Sequence, residues 1–291
     1  MNINTFIELK EICDKENKKI YEIAQENEAL KNDMSIIELR NLVKANIVAM
    51  KEAIRTGLNS TEKSYSGMSG GDCQKLQNKY KEKPSLLGII FEKITTYALA
   101  TSEENARMGK IVACPTAGSC GIVPSVLVSV SEEINATEEE QINALITAGE
   151  IGRIISNKVQ LAGAVAGCQA ECGVASAMAA GALAQLKGES TDIILSAVAL
   201  AMKNLLGLTC DPVCGLVEVP CIKRNPFLGV HAVTAYEIAS AGITSLIPLD
   251  EVIDTLEQTG QLMSPSLKES SQAGLAKTKT GIRLEKAFHE K

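Results

Sequence analysis

Cysteine is the residue type through which this chain of 291 residues has the most scope for chemistry. Nine are present: Cys13, Cys73, Cys114, Cys120, Cys168, Cys172, Cys210, Cys214 and Cys221. An odd count in a long chain argues against a disulfide framework, which leaves metal binding, catalysis or plain buried thiols. Three of the nine sit among glycines and prolines: Cys168 in Ala166-Gly-Cys-Gln-Ala-Glu-Cys-Gly173, Cys210 in Gly207-Leu-Thr-Cys-Asp-Pro-Val-Cys-Gly215, and Cys221 in Val219-Pro-Cys-Ile-Lys-Arg-Asn225. Irregular backbone of this kind frees N–H groups to hydrogen-bond to sulfur, which suits iron–sulfur ligation. Lys223 and Arg224 supply the positive surroundings that favour a thiolate. The Cys-x3-Cys spacings at 168/172 and 210/214 are weak zinc signals. Taken singly, each thiol also reads as a small core residue.

Other chemistry has less material. The two histidines, His231 and His289, are too few for a His-rich metal site; His289 reads as solvated and His231 as a structural residue of a helix. The Gly-rich runs Ser66-Gly-Met-Ser-Gly-Gly71 and Thr116-Ala-Gly-Ser-Cys-Gly121 read as turns or as anion cradles built from backbone N–H groups. Neither is a Walker A loop or a dinucleotide fingerprint, and a small carboxylate suits them as well as a phosphate.

These segments need a scaffold, and the composition indicates its kind. Apolar residues make up 45% and charged residues 22%, enough for a large core and against wholesale disorder. Aromatics are 3% with no Trp, so the core is built from Ala, Leu, Ile, Val and Gly, which favours close helix packing. With 29 basic and 35 acidic residues, the net charge of −6 has no basic block behind it and argues against nucleic acid. The charged N-terminus lacks the apolar stretch of a secretory signal. The uncharged run from Ile111 to Ser131 contains Pro115, Pro124 and glycines, and reads as soluble core rather than a membrane span. A cytoplasmic protein is expected.

The pattern predicts a mostly α protein: an Ala/Gly-rich helical domain with irregular Cys/Gly/Pro loops. Residues 1–60 read as a helical arm of two helices and 61–291 as the main domain, the two expected to form one continuous body. Thr5 to Glu8 and Ser35 to Glu38 have capping-box form, and Ile36, Leu39, Val43, Ile47, Met50 and Ile54 make a helical stripe that Gly57 ends. Residues 64–73 read as a loop, and a helix follows Pro84 from about 86 to 104. Residues 110–124 suggest a short extended piece, a turn, and a helix with Pro124 in its first turn. Thr137 caps another helix, and 144–186 has the composition of buried helices. A further helix runs from about 189 to 208, and 209–226 is expected to be irregular because of its prolines. A helix then spans about 229–241, and 273–281 is loop-like.

At this level of detail the chain resembles the alpha chain of the iron–sulfur-dependent L-serine dehydratases of the two-chain kind. The resemblance is carried by Ser66-Gly-Met-Ser-Gly-Gly-Asp72, Ala113-Cys-Pro-Thr-Ala-Gly-Ser-Cys-Gly-Ile-Val-Pro124, Ala166-Gly-Cys-Gln-Ala-Glu171, Gly207-Leu-Thr-Cys-Asp-Pro-Val-Cys-Gly215, Val219-Pro-Cys-Ile-Lys-Arg-Asn225 and Gly274-Leu-Ala-Lys-Thr-Lys-Thr-Gly281. It implies that Cys168, Cys210 and Cys221 hold a [4Fe–4S] cluster with one iron open to act as a Lewis acid on the serine hydroxyl. It implies loss of water to aminoacrylate, which becomes the imine and hydrolyses to pyruvate and ammonia, without pyridoxal phosphate. It implies a beta chain as partner, which supplies a His base. It places substrate contacts at Thr116, Gly118 and Ser119, then at Ser66, Gly70 and Gly71, with Lys277 and Thr278 closing the site. Cys172 and Cys214 are expected to pack beside the cluster. The end Lys286-Ala-Phe-His-Glu-Lys291 lacks the terminal Cys that closes the open iron in some single-chain relatives. The rival reading is an electron-transfer or redox-sensing iron–sulfur protein with Cys172 or Cys214 as fourth ligand.

Overall fold

The computed structural model describes residues 3–290, and among these no strand is present beyond one isolated bridge between Cys210 and Lys268. The N-terminal region holds α1 (Phe6–Glu16), α2 (Ile20–Lys31) and α3 (Ile36–Asn59). Three helices thus stand where the stripe pattern suggests two, because Asn17 adopts a left-handed conformation at φ 52° and ends α1. Full capping boxes form at Thr5/Glu8 and Ser35/Glu38, each worth about 1 kcal/mol.

The body continues with α4 (Asp72–Glu82), α5 (Gly88–Ala106), α6 (Ile122–Ile134), α7 (Glu138–Ser156) and the single turn α8 (Gly163–Ala166). After a π-helical turn over Gln169–Gly173 come α9 (Val174–Leu186), α10 (Thr191–Lys203), α11 (Cys221–Ser240), α12 (Leu249–Leu262) and α13 (Lys279–His289). No helix among the described residues is long and apolar enough to cross a membrane.

The centre of the fold is α9, in which every residue is buried. It packs against α6, α7, α10 and α11. Small side chains make this possible: a Cβ added to Gly181 would overlap Cδ1 of Ile151 on α7. Phe6, Leu9, Ile20, Ile23, Ile47 and Met50 of the first three helices join the same apolar core as α7 and α9.

Several sequence expectations need correction. Helix α11 begins at Cys221, inside the stretch expected to be irregular, and carries Pro226 within it. The proline removes one N–H from the ladder, and burial of Ile222, Asn225, Leu228 and Ala232 against the core holds the helix across the gap. Residues 72–82 and 249–262 are helical although the pattern marks no helix there, and 279–289 forms α13 beyond the loop-like 3-10 turn at Gly274–Lys277. The piece expected to be extended at 110–114 pairs with no strand.

Candidate metal and substrate site

Cys168 is delivered by a break in the helical chain. The one-turn α8 ends at Gly167, which takes φ 77°, and Cys168 then leads into the π-helical turn before α9. Gln169 staples this turn to the next thiol-bearing segment. Its N–H donates to Leu208 O at 3.0 Å, its Oε1 accepts from Gly207 N at 2.8 Å, and its Nε2 donates to Leu256 O at 3.1 Å. The segment so held leads directly to Cys210, whose N–H donates to Leu267 O at 2.9 Å and whose O accepts from Glu269 N at 2.6 Å.

Arg224 and Asn225 bring in the rest. Arg224 donates from Nη1 to Thr209 O at 2.9 Å and from Nη2 to Asp211 Oδ1 at 3.1 Å, which fixes the start of α11, and therefore Cys221, beside Cys210. Asn225 Nδ2 donates to Gly118 O and to Cys221 O, each at 2.9 Å, while its Oδ1 accepts from Gly121 N at 2.9 Å. A single fully buried amide thus joins the second Gly-rich loop to α11.

The result is a buried pocket of thiols with a carboxylate among them. The sulfurs of Cys168 and Cys210 and a carboxylate oxygen of Glu171 lie within 4.8 Å of one another. Cys172 Sγ is 3.6 Å from Cys168 Sγ. Hydrogen bonds from the Cys172 and Cys210 thiols, with Arg224 alongside, pull the Cys168 thiol well below the usual thiol range. Those same contacts hold Cys210 and Cys172 well above the usual thiol range. Burial pushes Cys221 up to about 12, with the Cys168 and Glu171 charges adding to it. Burial likewise raises Glu171 to about 7, and Thr116 Oγ1, which donates to Glu171 Oε1, partly offsets it. One thiolate held beside further thiols in a buried, Arg-lined pocket is a donor set of the soft kind that binds iron–sulfur clusters or zinc. A Cβ on Gly163 would lie 2.9 Å from Cys210 Sγ and 3.1 Å from Glu171 Oε2, so the pocket depends on a residue without a side chain there.

The second Gly-rich loop reaches this pocket. Thr116 binds Glu171 directly, Gly118 is tied to Asn225, and Ser119 Oγ donates to Cys114 O at 3.1 Å from a buried position. The first Gly-rich loop is held elsewhere. Its Ser64 and Ser69 hydroxyls donate to Glu218 Oε2 at 2.6 and 2.5 Å. Ser66 Oγ lies 3.2 Å from Ser64 Oγ, Gly70 O accepts from Lys63 Nζ at 2.7 Å, and Gly71 N donates to Glu103 Oε2 at 3.2 Å. The two loops approach at 217–218, since a Cβ on Gly118 would meet Val217 Cγ1 at 3.3 Å. Thr278 caps α13 by accepting from Gly281 N at 3.0 Å, and Lys277 pairs with Glu285 at 3.7 Å. Their turn is anchored beside Cys210 because Leu275 N donates to Asp211 Oδ2 at 2.8 Å.

Cys214 is the outlier among the thiols. It is half-buried in a 3-10 turn at φ 59°, and the charges that act on it are Glu285 and Glu218 rather than the thiol pocket. His231 Nε2 is 3.0 Å from Ala201 O, and His289 is exposed against Phe288. Sequence reasoning missed Glu171, Asp211, Glu218 and the stapling roles of Gln169 and Asn225. The available signal was a set of charged and amide side chains inside otherwise apolar, Gly-rich runs, where burial requires a partner.

Comparison with known proteins gives one consistent result. A family model described as Serine dehydratase alpha chain matches residues 15–276. The chain is 43% identical over 280 residues to a probable L-serine dehydratase alpha chain of Bacillus subtilis, covering 92% of this chain and 93% of that one. It is 37% identical over 286 residues to the L-serine dehydratase alpha chain of Peptoniphilus asaccharolyticus, covering 98% of both. It is also 40% identical over 283 residues to an L-serine dehydratase of Helicobacter pylori, covering 93% of this chain and 60% of that longer protein.

Proposed function

This chain belongs to the serine dehydratase alpha-chain family, and from that premise we propose that it is the cluster-bearing subunit of an L-serine ammonia-lyase. The observation that carries the proposal is the convergence of Cys168, Cys210 and Glu171 in a buried pocket that Cys221 adjoins and the Thr116–Ser119 loop overhangs. The donor set suits a [4Fe–4S] cluster held by Cys168, Cys210 and Cys221. Such a cluster, when bound, supplies Lewis acidity at an iron without a protein thiolate, which turns the serine hydroxyl into a feasible leaving group.

The chain's own residues have separate tasks. Arg224 offsets the negative charge gathered around Cys168 and fixes the geometry of 209–211. Gln169 and Asn225 make the thiol pocket rigid by joining its segments through buried hydrogen bonds. The N–H groups of residues 117–119 suit a carboxylate, while the Thr116 and Ser119 hydroxyls hold the turn by donating to Glu171 Oε1 and Cys114 O. Ser66, Gly70 and Gly71 lie on the loop tied to Glu218 and Glu103, and Lys277 and Thr278 lie on the turn that Leu275 anchors to Asp211 beside Cys210. Removal of the α-proton needs a base, which the family resemblance assigns to a histidine of the beta chain; the two histidines here, one beside Ala201 O and one exposed against Phe288, fit that assignment. The Helicobacter protein, of which this chain spans 60%, has length left over for such a part.

The experiment is anaerobic purification with a co-expressed partner chain, followed by iron and sulfide analysis and a pyruvate assay on L-serine. About four irons and four sulfides per alpha chain, with pyruvate released, is the expected result. Zinc, or no metal, refutes the proposal. A second reading, a redox cluster with four thiolates, draws on Cys172 at 3.6 Å from Cys168. Retention of iron and activity in Cys172→Ser eliminates it.

A further inference from the structure

Four carboxylates are buried around the two Gly-rich loops and the thiols, and they differ in how their oxygens are used. Asp211 gives Oδ1 to Arg224 and Oδ2 to Leu275 N. Glu103 gives Oε1 to Asp72 N at 2.7 Å and Oε2 to Gly71 N at 3.2 Å. Glu218 takes two serine hydroxyls of the first loop on Oε2. Glu171, like Glu218, engages one oxygen fully, and its other oxygen lies at the thiols: Thr116 donates to Oε1, while Oε2 has the Cys168 sulfur at 4.0 Å as its contact. A buried carboxylate oxygen with that little compensation calls for a donor.

The surroundings specify the donor's charge. Negative charge on Cys168 and Glu269 acts on Glu171, and Arg224 is the cation that opposes it. That cation already binds Thr209 O and Asp211. A compact cation is therefore favoured at Oε2. Gly163 keeps one side of Oε2 clear, because a Cβ there would lie 3.1 Å from it, while a Cβ on Gly118 would overlap Oε1. A group held there sits within 4.8 Å of the Cys168 and Cys210 sulfurs, next to whatever those sulfurs bind. In serine the ammonium and the hydroxyl are carried on adjacent carbons, so a molecule whose hydroxyl end reaches the thiol-held centre presents its ammonium at this distance.

We infer that Glu171 is the residue that receives the α-ammonium of the substrate, and so sets the preference for an amino acid over a hydroxy acid; this deepens the proposed function and rests on it. Thr116 then has a positioning role, orienting the carboxylate through Oε1 so that Oε2 is presented to the ammonium. Glu269 is the nearest competitor: its Oε2 would be 3.4 Å from a Cβ on Gly163, but it is half-buried on the segment that crosses Cys210.

The test uses the holoenzyme with its partner chain and compares wild type, Glu171→Gln and Glu269→Gln. The first substitution keeps an oxygen for Thr116 and replaces the acceptor at Oε2 with a donor. Iron per chain is measured first. KM and kcat for L-serine follow, and then the affinity for 3-hydroxypropionate, which is serine without its ammonium, by calorimetry. In Glu171→Gln, iron is expected to be unchanged, KM for serine to rise about 10- to 100-fold, and 3-hydroxypropionate to bind within about threefold of wild type. Glu269→Gln is expected to keep the wild-type KM within about threefold. Loss of iron in Glu171→Gln, equal weakening of both ligands, or a larger serine-selective loss in Glu269→Gln overturns the inference. Absence of serine turnover in the wild type refutes the proposed function itself, a result distinct from any of these.

Discussion

The two Gly-rich loops have nearly the same ingredients and do different things. Residues 64–71 and 114–121 each contain small and hydroxyl side chains, each leads into a helix, and each is hydrogen-bonded to a buried glutamate. In the first loop the glutamates bond to the loop itself. Glu218 takes two serine hydroxyls, and Glu103 takes the N–H groups of Gly71 and Asp72, doing for α4 what a capping side chain does when the N-cap is glycine. In the second loop an amide, Asn225, ties the backbone down, and the carboxylate of Glu171 is left half-engaged beside the thiols. A carboxylate bonded to its own loop is a structural staple, whereas one that turns an oxygen toward a thiol cluster is placed for a ligand.

That contrast breaks most sharply at the thiol beside each loop. Cys168→Ser, next to the second loop, is expected to cut iron from about four per chain to below about one. Cys73→Ser, whose thiol donates to Thr96 O beside the first loop, is expected to leave iron unchanged. Iron analysis after anaerobic purification reads both. The next effect in size separates the glycines. Gly118→Ala drives a Cβ into Glu171 Oε1, and a drop in kcat/KM of about tenfold or more is expected. Gly71→Ala meets only Thr61 O, at an ordinary 3.7 Å, but has a φ of 81°. It should cost about 1–2 kcal/mol of stability with KM preserved. Thermal melts alongside steady-state kinetics distinguish the two.

A smaller effect follows from removing one hydroxyl. Ser69→Ala leaves Glu218 with Ser64 alone, and a loss of about 1–3 kcal/mol is expected in denaturant melts, with iron content retained. The smallest concerns Asp72, where the first loop enters α4. A hydrogen bond from Lys75 and the ion pair with Lys223 hold its carboxyl below its ordinary value. A depressed carboxylate contributes stability above its unfolded pKa of 3.8 and loses it as pH falls through the folded value. The gap in melting temperature between wild type and Asp72→Asn should therefore be open at pH 7 and closed near pH 2.

The helices with full caps are legible from the chain alone. Thr137 with Glu140, and Ser35 with Glu38, announce their helices locally, through interactions three residues apart. Helix α4 is not legible, because Cys73 is its one buried residue and its surface is otherwise polar, so no apolar period exists to detect. Pro226 obscures the first turns of α11 because its local preference is overruled by core contacts far away in sequence. At the candidate site, the Gly/Pro setting of Cys168 and Cys210 singles them out, and the fold brings these two together. Glu171 does not stand out in the same way. Its significance arises from Thr116, Gly118 and Gly163, which lie up to 55 residues away along the chain.

The bridge between Cys210 and Lys268 offers a built-in clock. The amide protons of Cys210 and Glu269 are both locked in main-chain hydrogen bonds across it. Each can exchange with solvent deuterium only when residues 267–269 lift from the thiol-bearing segment. Their exchange rates therefore time the opening of that strap directly, amide by amide, without any need for turnover.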